Sequence, residues 1–300
     1  MWSQNSAISC NQPYTRAATA LSVIVKVTGA LNIFVSRSFQ SAAGDIANIS
    51  QFAVHHCIWE VTQALYSRRR GYPITREKQD EPAFGFARIA GFLMMQGAID
   101  FVGLRTPHNS PKIFRNRKGY DSLNVQLVCN HRQRILNINA CYPGSTHNAF
   151  ILCQSNVPTL FQPLHQARLW LLGDKSYPLS TWLQNPNTPA QHSYNESHAA
   201  TRNTISLLKQ RFHWLDSSGG ALQYSSEQVS HFLVVCCMLH NLAIMRAQPL
   251  TAWIAGPPRE EDEAEEDEDD EEEQERGRRQ RDNRPSGWAV CEQLIRLQFE

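Results

Sequence analysis

The 300-residue sequence predicts an α/β fold in which helices flank a mixed sheet and a small helical segment comes first. Two stretches in the middle of the chain alternate polar and apolar residues, which is typical of strands. Two short apolar runs beside them each end in an aspartate, and apolar residues recur at helical spacing before and after this region. Hydrophobic residues make up 42% of the chain, which is enough for a packed core and excludes general disorder.

The net charge of +1 hides a strong separation of charge along the chain. Residues 260–275 contain 14 acidic residues and no basic one, whereas the whole chain has 29 Lys and Arg and 28 Asp and Glu. The rest of the protein is therefore a basic body. A basic body favours a polyanionic partner, with nucleic acid as the first candidate, and a solvated surface rich in Lys and Arg is the alternative.

Composition divides the chain into four zones. Residues 1–16 are predicted to be disordered, 17–85 form a helical region and linker, 86–248 hold the strand pattern, and 249–300 form an acidic, then basic, mostly disordered tail. The eight cysteines include no C-x-x-C pair, which argues against a zinc knuckle or a thioredoxin-like motif. Their density is low for a disulfide scaffold, which indicates a reducing compartment. No uninterrupted apolar stretch approaches the ~18 residues of a membrane span, so we expect a soluble, intracellular protein.

The helical region has the outline of a helix-turn-helix. Residues 39–47 predict a short helix, Ser50 is a candidate N-cap, and residues 52–66 predict a longer helix. The apolar residues of the longer helix recur at helical spacing: Val54, Ile58, Val61 and Leu65. This outline favours DNA binding, and a plain helical hairpin used for packing is the alternative.

The α/β region is predicted from alternation and from turn residues. Residues 122–129 and 134–140 alternate, and the turn-forming residues 130–133 between them predict a hairpin. Residues 93–99 and 169–173 predict two short apolar strands, ending in Asp100 and Asp174. The helices that cover the sheet are predicted to begin near 143–148 and to span 195–212 and 226–246.

Asp100 and Asp174 are the candidate site residues because each ends an apolar strand. Strand ends are where ligands meet an α/β sheet. Two carboxylates on neighbouring strands repel each other unless a cation lies between them, and Mg²⁺ prefers oxygen ligands. Two such ions can activate water and stabilise the leaving oxygen in phosphodiester cleavage. The alternative is that both acids only cap loops.

Several short segments together form an ordered set of motifs. Two of them contain the candidate aspartates, Gly97-Ala98-Ile99-Asp100 and Leu172-Gly173-Asp174. The other segments are residues 116–120, 122–129, 143–147, 177–179, 201–205, 207–212 and 237–241. In their residues and their order, these segments resemble the Harbinger (PIF) transposases and the nucleases derived from them.

This resemblance implies an RNase H-like DDE domain preceded by a helix-turn-helix segment. It also implies a nuclease that acts on DNA with a divalent cation, Mg²⁺ or Mn²⁺, in which Asp100 and Asp174 are catalytic metal ligands. Relatives of the domesticated type are found in the nucleus and cytoplasm and work with a Myb-like DNA-binding partner, so the resemblance implies the same localisation and partner here.

The departures from the family pattern concern the same site. The family has an Asp where this chain has Asn148, which offers a metal an oxygen but no charge. The segment after Asp100 is shortened by two residues. The family's third acid, a Glu after an Ile, is lost with a four-residue gap at Ser206, and Glu196 would need a register shift to replace it.

These losses predict nuclease activity that is very low or absent. One interpretation is therefore an impaired metal-dependent nuclease with Asp100, Asn148 and Asp174 around the cation. A second is a catalytically eroded module that binds DNA or protein, and a third is a decaying element copy.

Three further clusters have two interpretations each. Cys236, Cys237 and His240 share a helical face, and their apolar neighbours favour a packed core over a metal site. Residues 114–120 combine basic and aromatic residues, and they form either a patch that contacts phosphates or a solvated turn. The acidic tail either competes with DNA for the basic body or adds solubility.

Overall fold

The structure of this chain is a computed structural model. It describes residues 21–36, 51–69, 85–86, 88, 95–106, 114–116, 118–166, 170–173, 177, 183–184, 191–215 and 224–248. The helices are α1 (Val23–Ser36), α2 (Gln51–Tyr66), α3 (Asn148–Gln154), α4 (Val157–Gln166), α5 (Gln191–Arg211) and α6 (Ser226–Met245), with a 3₁₀ helix at His213–Leu215. The strands are β1 (Met95–Arg105), β2 (Ser122–Cys129), β3 (Ile135–Pro143), β4 (Trp170–Gly173) and β5 (Leu183–Gln184).

The five strands form one mixed sheet in the order β3-β2-β1-β4-β5. β1, β2 and β3 pair antiparallel, whereas β4 runs parallel to β1 and β5 runs parallel to β4. In the turn between β2 and β3, Asn130 Oδ1 accepts hydrogen bonds from the backbone N–H groups of Arg132 and Arg134, each at 3.0 Å. The predicted hairpin and the RNase H-like mixed sheet with flanking helices are confirmed.

β1 is longer than the sequence predicted. Its pairing with β2 continues beyond Asp100 through Val102, opposite Val125, to Arg105, opposite Ser122. The prediction that this strand ends at Asp100 is therefore wrong, because the apolar residues after the aspartate remain in the sheet. β5 and α4 were not predicted from the sequence.

Helices cover both faces of the sheet. On one face, α1, α2, α5 and α6 enclose an apolar core with strand residues that include Val102 and Leu104 of β1. On the other face, a second core contains Ile99 and Leu171 together with residues of α3 and α4. The sheet is therefore the middle layer, and successive residues of β1 point into different cores.

The N-terminal helices share the first core with the sheet. The Phe34 ring of α1 lies 6.0 Å from that of Trp214 and 5.9 Å from that of Phe232, centroid to centroid. The predicted short helix over residues 39–47 and the turn at Ser50 lie outside the described residues. The helix-turn-helix and the division at residue 85 therefore stay predictions.

Helix α6 is the element that fastens the first core to the sheet. It starts with a capping box, in which Ser225 and Gln228 exchange side-chain to backbone hydrogen bonds. Within the described residues it is also the one helix long and apolar enough to cross a membrane by length and composition. Its apolar sequence has a structural reason here, since Val229, Phe232 and Leu233 are all buried in the core.

Candidate functional site

Asp100 lies near the middle of β1, opposite Leu127 of β2, and is only 8% exposed. Side chains alternate along a strand, so Asp100 shares the sheet face of Val102 and Leu104, which α1, α2, α5 and α6 cover. One carboxylate oxygen, Oδ1, accepts a hydrogen bond of 2.8 Å from the backbone N–H of Phe101. β1 therefore holds this carboxylate against a helical layer.

The end of β4 lies beside Asp100. Gly173, the last residue of β4, is the Cα partner of Ile99 in the parallel pairing with β1. A Cβ atom at Gly173 would lie 2.8 Å from Leu183 Cδ1 and 3.3 Å from Ile99 Cγ2, so glycine lets β4 fit between its neighbours. Asp174 follows Gly173 directly in the sequence but lies outside the described residues, and its approach to Asp100 stays a prediction.

Helix α5 packs over β1 on the Asp100 face. Thr201, Thr204 and Leu208 are at most 2% exposed and form its buried stripe. The two threonine hydroxyls lie beside the Cys129 thiol, opposite Ala98 of β1. Burial raises the pKa of this thiol to about 11, and the charge of Asp100 adds to the rise while the hydroxyls oppose it. The thiol is therefore protonated and unreactive at neutral pH.

Ser206 marks the position at which the resemblance to the family predicts a missing third acid. Ser206 is exposed, and its hydroxyl accepts a hydrogen bond of 3.1 Å from Gln210 Nε2. Glu196 lies in α5, but its side chain is outside the described part, so its substitution for the missing acid remains a hypothesis. Among the described residues, no three His, Cys, Asp or Glu side chains form a group that could hold a metal ion.

Asn148 is the first residue of α3 and has a polar partner of its own. Its Oδ1 accepts a hydrogen bond of 2.9 Å from Asn124 Nδ2, which also donates to the carbonyl oxygen of Thr146 at 3.0 Å. Asn124 lies opposite Gly103, a position that alternates away from Asp100. The structure therefore pairs Asn148 with Asn124 rather than bringing it to the Asp100 face, and its role as a metal ligand stays a prediction.

Cys236, Cys237 and His240 form part of the packed core, as their apolar neighbours indicated. All three are buried, and burial raises the pKa of both thiols and lowers that of His240 to about 4. Neutral His240 donates from Nε2 to the carbonyl oxygen of Gln133 at 2.8 Å.

Sequence reasoning missed the neighbouring Asn241. Its Oδ1 accepts from the Ile135 N–H at 2.8 Å, and its Nδ2 donates to the Ile135 carbonyl at 2.7 Å. The only signal for this role was a His-Asn pair inside an otherwise apolar helix.

An exposed basic patch lies at the far end of β1. The Arg105 guanidinium stacks 4.4 Å above the Tyr120 ring. Arg115 Nε donates to the carbonyl oxygen of Gly119 at 3.0 Å, and Gly119 has a φ of +81° that favours glycine. Arg105, Arg115 and Lys118 are all exposed. We call these three residues and Tyr120 the basic hairpin.

Comparison with known proteins identifies close sequence relatives. A family profile described as DDE superfamily endonuclease matches residues 101–241. The chain is 36% identical over 269 residues to the HARBI1 nuclease of Rattus norvegicus and 35% identical over 269 residues to that of Homo sapiens. Each match covers 83% of this chain and 76% of the relative.

More distant similarities extend to plants and to a solved structure. The ALP1-like protein of Arabidopsis thaliana is 26% identical over 250 residues, covering 75% of this chain and 61% of that protein. The Mos1 transposase paired-end complex with the left transposon end is 14% identical, with 79% of each chain covered and a TM-score of 0.23.

Proposed function

Because this chain belongs to the Harbinger-derived nucleases of the DDE superfamily, we propose that Asp100 and Asp174 bind a divalent cation at a site for DNA phosphodiester hydrolysis. We further propose that hydrolysis at this site is very slow or absent. The observation that carries the proposal is the pairing of Gly173 with Ile99, the residues that precede the two aspartates.

The donors present fit a hard cation. Carboxylate oxygens suit Mg²⁺ and Mn²⁺, which often use one or two protein carboxylates and take their remaining ligands from water and substrate phosphate. A divalent cation held there would polarise the phosphate and stabilise the leaving oxygen. The chain's own contribution is to fix the Asp100 carboxylate through β1 and to present it beside the end of β4.

The expected weakness of catalysis follows from α5. The buried stripe of this helix offers two hydroxyls and a leucine to the Asp100 face, and Ser206 is exposed. Two carboxylates neutralise less charge than the family's larger acidic set, so two dications should bind poorly together. The same observation favours the second candidate function, a module that keeps DNA or protein binding after losing turnover.

DNA is the substrate or ligand that the basic surface supports. The guanidinium groups of Arg105 and Arg115 are held by a ring and a carbonyl, respectively, and can contact phosphates without large loss of side-chain freedom. We propose a Myb-like partner and a distribution over nucleus and cytoplasm on the strength of family membership alone.

The test is a pair of measurements on the purified full chain. Mn²⁺ titration by calorimetry should show binding that Asp174→Asn abolishes, whereas Glu227→Gln, which removes an exposed carboxylate on α6, should leave it unchanged. Plasmid nicking with Mg²⁺ or Mn²⁺ should stay at background. Absence of Mn²⁺ binding by the native chain would refute the cation site, and strong cutting that is lost in Asp174→Asn would refute the loss of turnover.

A further inference from the structure

The basic hairpin is a preformed cationic surface. Its turn is closed by two backbone hydrogen bonds, Asn116 N–H to the Tyr120 carbonyl at 2.9 Å and Gly119 N–H to the Asn116 carbonyl at 3.1 Å. Asn116 Oδ1 also accepts from the Tyr120 N–H at 3.2 Å. Asn116 thus binds both the N–H and the carbonyl of Tyr120, the residue on whose ring Arg105 stacks. The cationic surface is therefore formed before any ligand binds.

The charge of this region is strongly one-sided. Residues 105–121 contain five Lys and Arg and a single acid, Asp121. Asp121 is 6% exposed, and its backbone pairs with that of Arg115 and accepts from the Thr106 N–H. The basic residues of this stretch outnumber its single acid, so the surface attracts polyanions.

The same chain carries a polyanion of matching charge spacing. Residues 260–275 hold 14 acidic residues among 16. An extended chain advances about 3.3 Å per residue, so these charges recur about every 3.8 Å. Phosphates along one DNA strand recur about every 3.4 Å. The segment therefore presents nearly the linear charge density of a nucleic acid strand.

The connection is long enough for this segment to reach the hairpin. Helix α6 is anchored to Ile135, which pairs with Cys129 at one end of β2, whereas Arg105 pairs with Ser122 at the other end. Seven residues of strand separate the two ends, about 24 Å. The connection starts after Gln248, seven residues and about 10 Å beyond Asn241. Residues 249–259 can span about 36 Å when extended, which is comparable to these two distances combined, and the acidic segment itself extends the reach.

We propose that the acidic segment, residues 260–275, binds the basic hairpin in the free protein and must be displaced before DNA occupies it. The competition with DNA rests on the proposed function, whereas the binding of the acidic segment to the basic hairpin does not depend on it. A tether of this length keeps the acids at an effective concentration of about 1 mM. If the isolated contact has a dissociation constant of about 0.1 mM, DNA affinity is reduced about tenfold.

The docking is tested without DNA by zero-length carbodiimide cross-linking of the full chain, read by mass spectrometry. We expect amide bonds between Lys118 and carboxylates of residues 260–275 at low salt, and their loss at 0.5 M salt because exposed charges are then screened. An excess of heparin should compete with the cross-link. Absence of this cross-link at low salt, or its formation only between two chains, would overturn the proposal.

The effect on DNA is tested with two variants in a double-mutant cycle. In the first, every Glu and Asp of residues 260–275 becomes Gln or Asn. In the second, Arg105→Gln, Arg115→Gln and Lys118→Gln remove the hairpin's charge.

The amide variant should bind a DNA duplex about tenfold more tightly than the native chain at 50 mM salt. The same amide changes should have little effect in the hairpin variant. An equal gain in both backgrounds would show general repulsion and overturn the docking. If neither the native chain nor the amide variant binds DNA, the proposed DNA binding is refuted. The cross-linking experiment still tests whether the acidic segment binds the basic hairpin.

Discussion

Asn241 provides the sharpest test of how α6 is fastened to the sheet. Its side-chain amide makes two hydrogen bonds to the backbone of Ile135, one as acceptor at 2.8 Å and one as donor at 2.7 Å. Asn241→Asp keeps the shape and the acceptor but removes the donor, so the buried Ile135 carbonyl loses its partner and faces a carboxylate instead. A lost buried hydrogen bond with an unsatisfied partner costs about 1–3 kcal/mol, and burial of the new charge adds to this.

We therefore expect Asn241→Asp to reduce the free energy of unfolding by about 3 kcal/mol, measured by urea denaturation at pH 7. The matched control is Asn203→Asp, the same chemical change at an exposed position of α5, which should change stability by less than about 0.5 kcal/mol. Hydrogen exchange of the Ile135 amide should accelerate only in the Asn241 variant. A loss below about 1 kcal/mol for Asn241→Asp, or equal losses in both variants, would refute the fastening role.

Three further predictions follow from the core, the sheet and α5. Burial lowers the pKa of His240 to about 4 in the folded protein, from an ordinary value of 6.5, so the unfolded chain binds more protons between these two pH values. The free energy of unfolding should therefore fall by up to about 3 kcal/mol as the pH drops from about 6.5 towards 4. Urea denaturation of His240→Gln should show a smaller fall over the same range. Gly97→Ala places a Cβ atom 2.9 Å from the Cys129 carbonyl oxygen and should destabilise the protein by about 1–3 kcal/mol. Gly103→Ala is the control, because the space around Gly103 is open, and this change should be neutral or slightly stabilising. Equal effects of the two changes in urea denaturation would contradict the close approach of β1 and β2 at Gly97. Ser206→Glu should leave plasmid nicking at background because the side chain is directed to solvent, and a clear gain of Mn²⁺-dependent nicking would show that this position reaches the site.

Alternation and turn residues were sufficient to predict β2, β3 and the hairpin between them. The end of β1 was mispredicted because a buried aspartate inside a strand has the same sequence pattern as a polar residue that follows an apolar run. Val102 and Leu104 continue the buried face beyond it. β5 has two residues, which is too short for any periodicity, and the sequence of α4 contains Pro158 and Pro163, which weaken a helical pattern.

The site was only partly predictable for a different reason. The choice of Asp100 and Asp174 came from their places after short apolar runs and from the family motifs, and the sheet adds the pairing of the residues before them. The contacts of Asn148 with Asn124 and of Asn241 with Ile135 join residues 24 and 106 positions apart. Such pairs depend on how strands and helices meet in space, which no local pattern of residue types encodes.

The alternation of β1 also limits which length changes the lineage could tolerate. The period of a strand is two residues, so an insertion of one residue between Gly97 and Asp100 would turn the carboxylate into the layer of α3 and α4. The resemblance to the family predicts a loss of two residues after Asp100. An even loss keeps Val102 and Leu104 in the core shared with α5 and α6. An even change of length therefore keeps both cores of the sheet intact, whereas an odd change would exchange the two faces of β1.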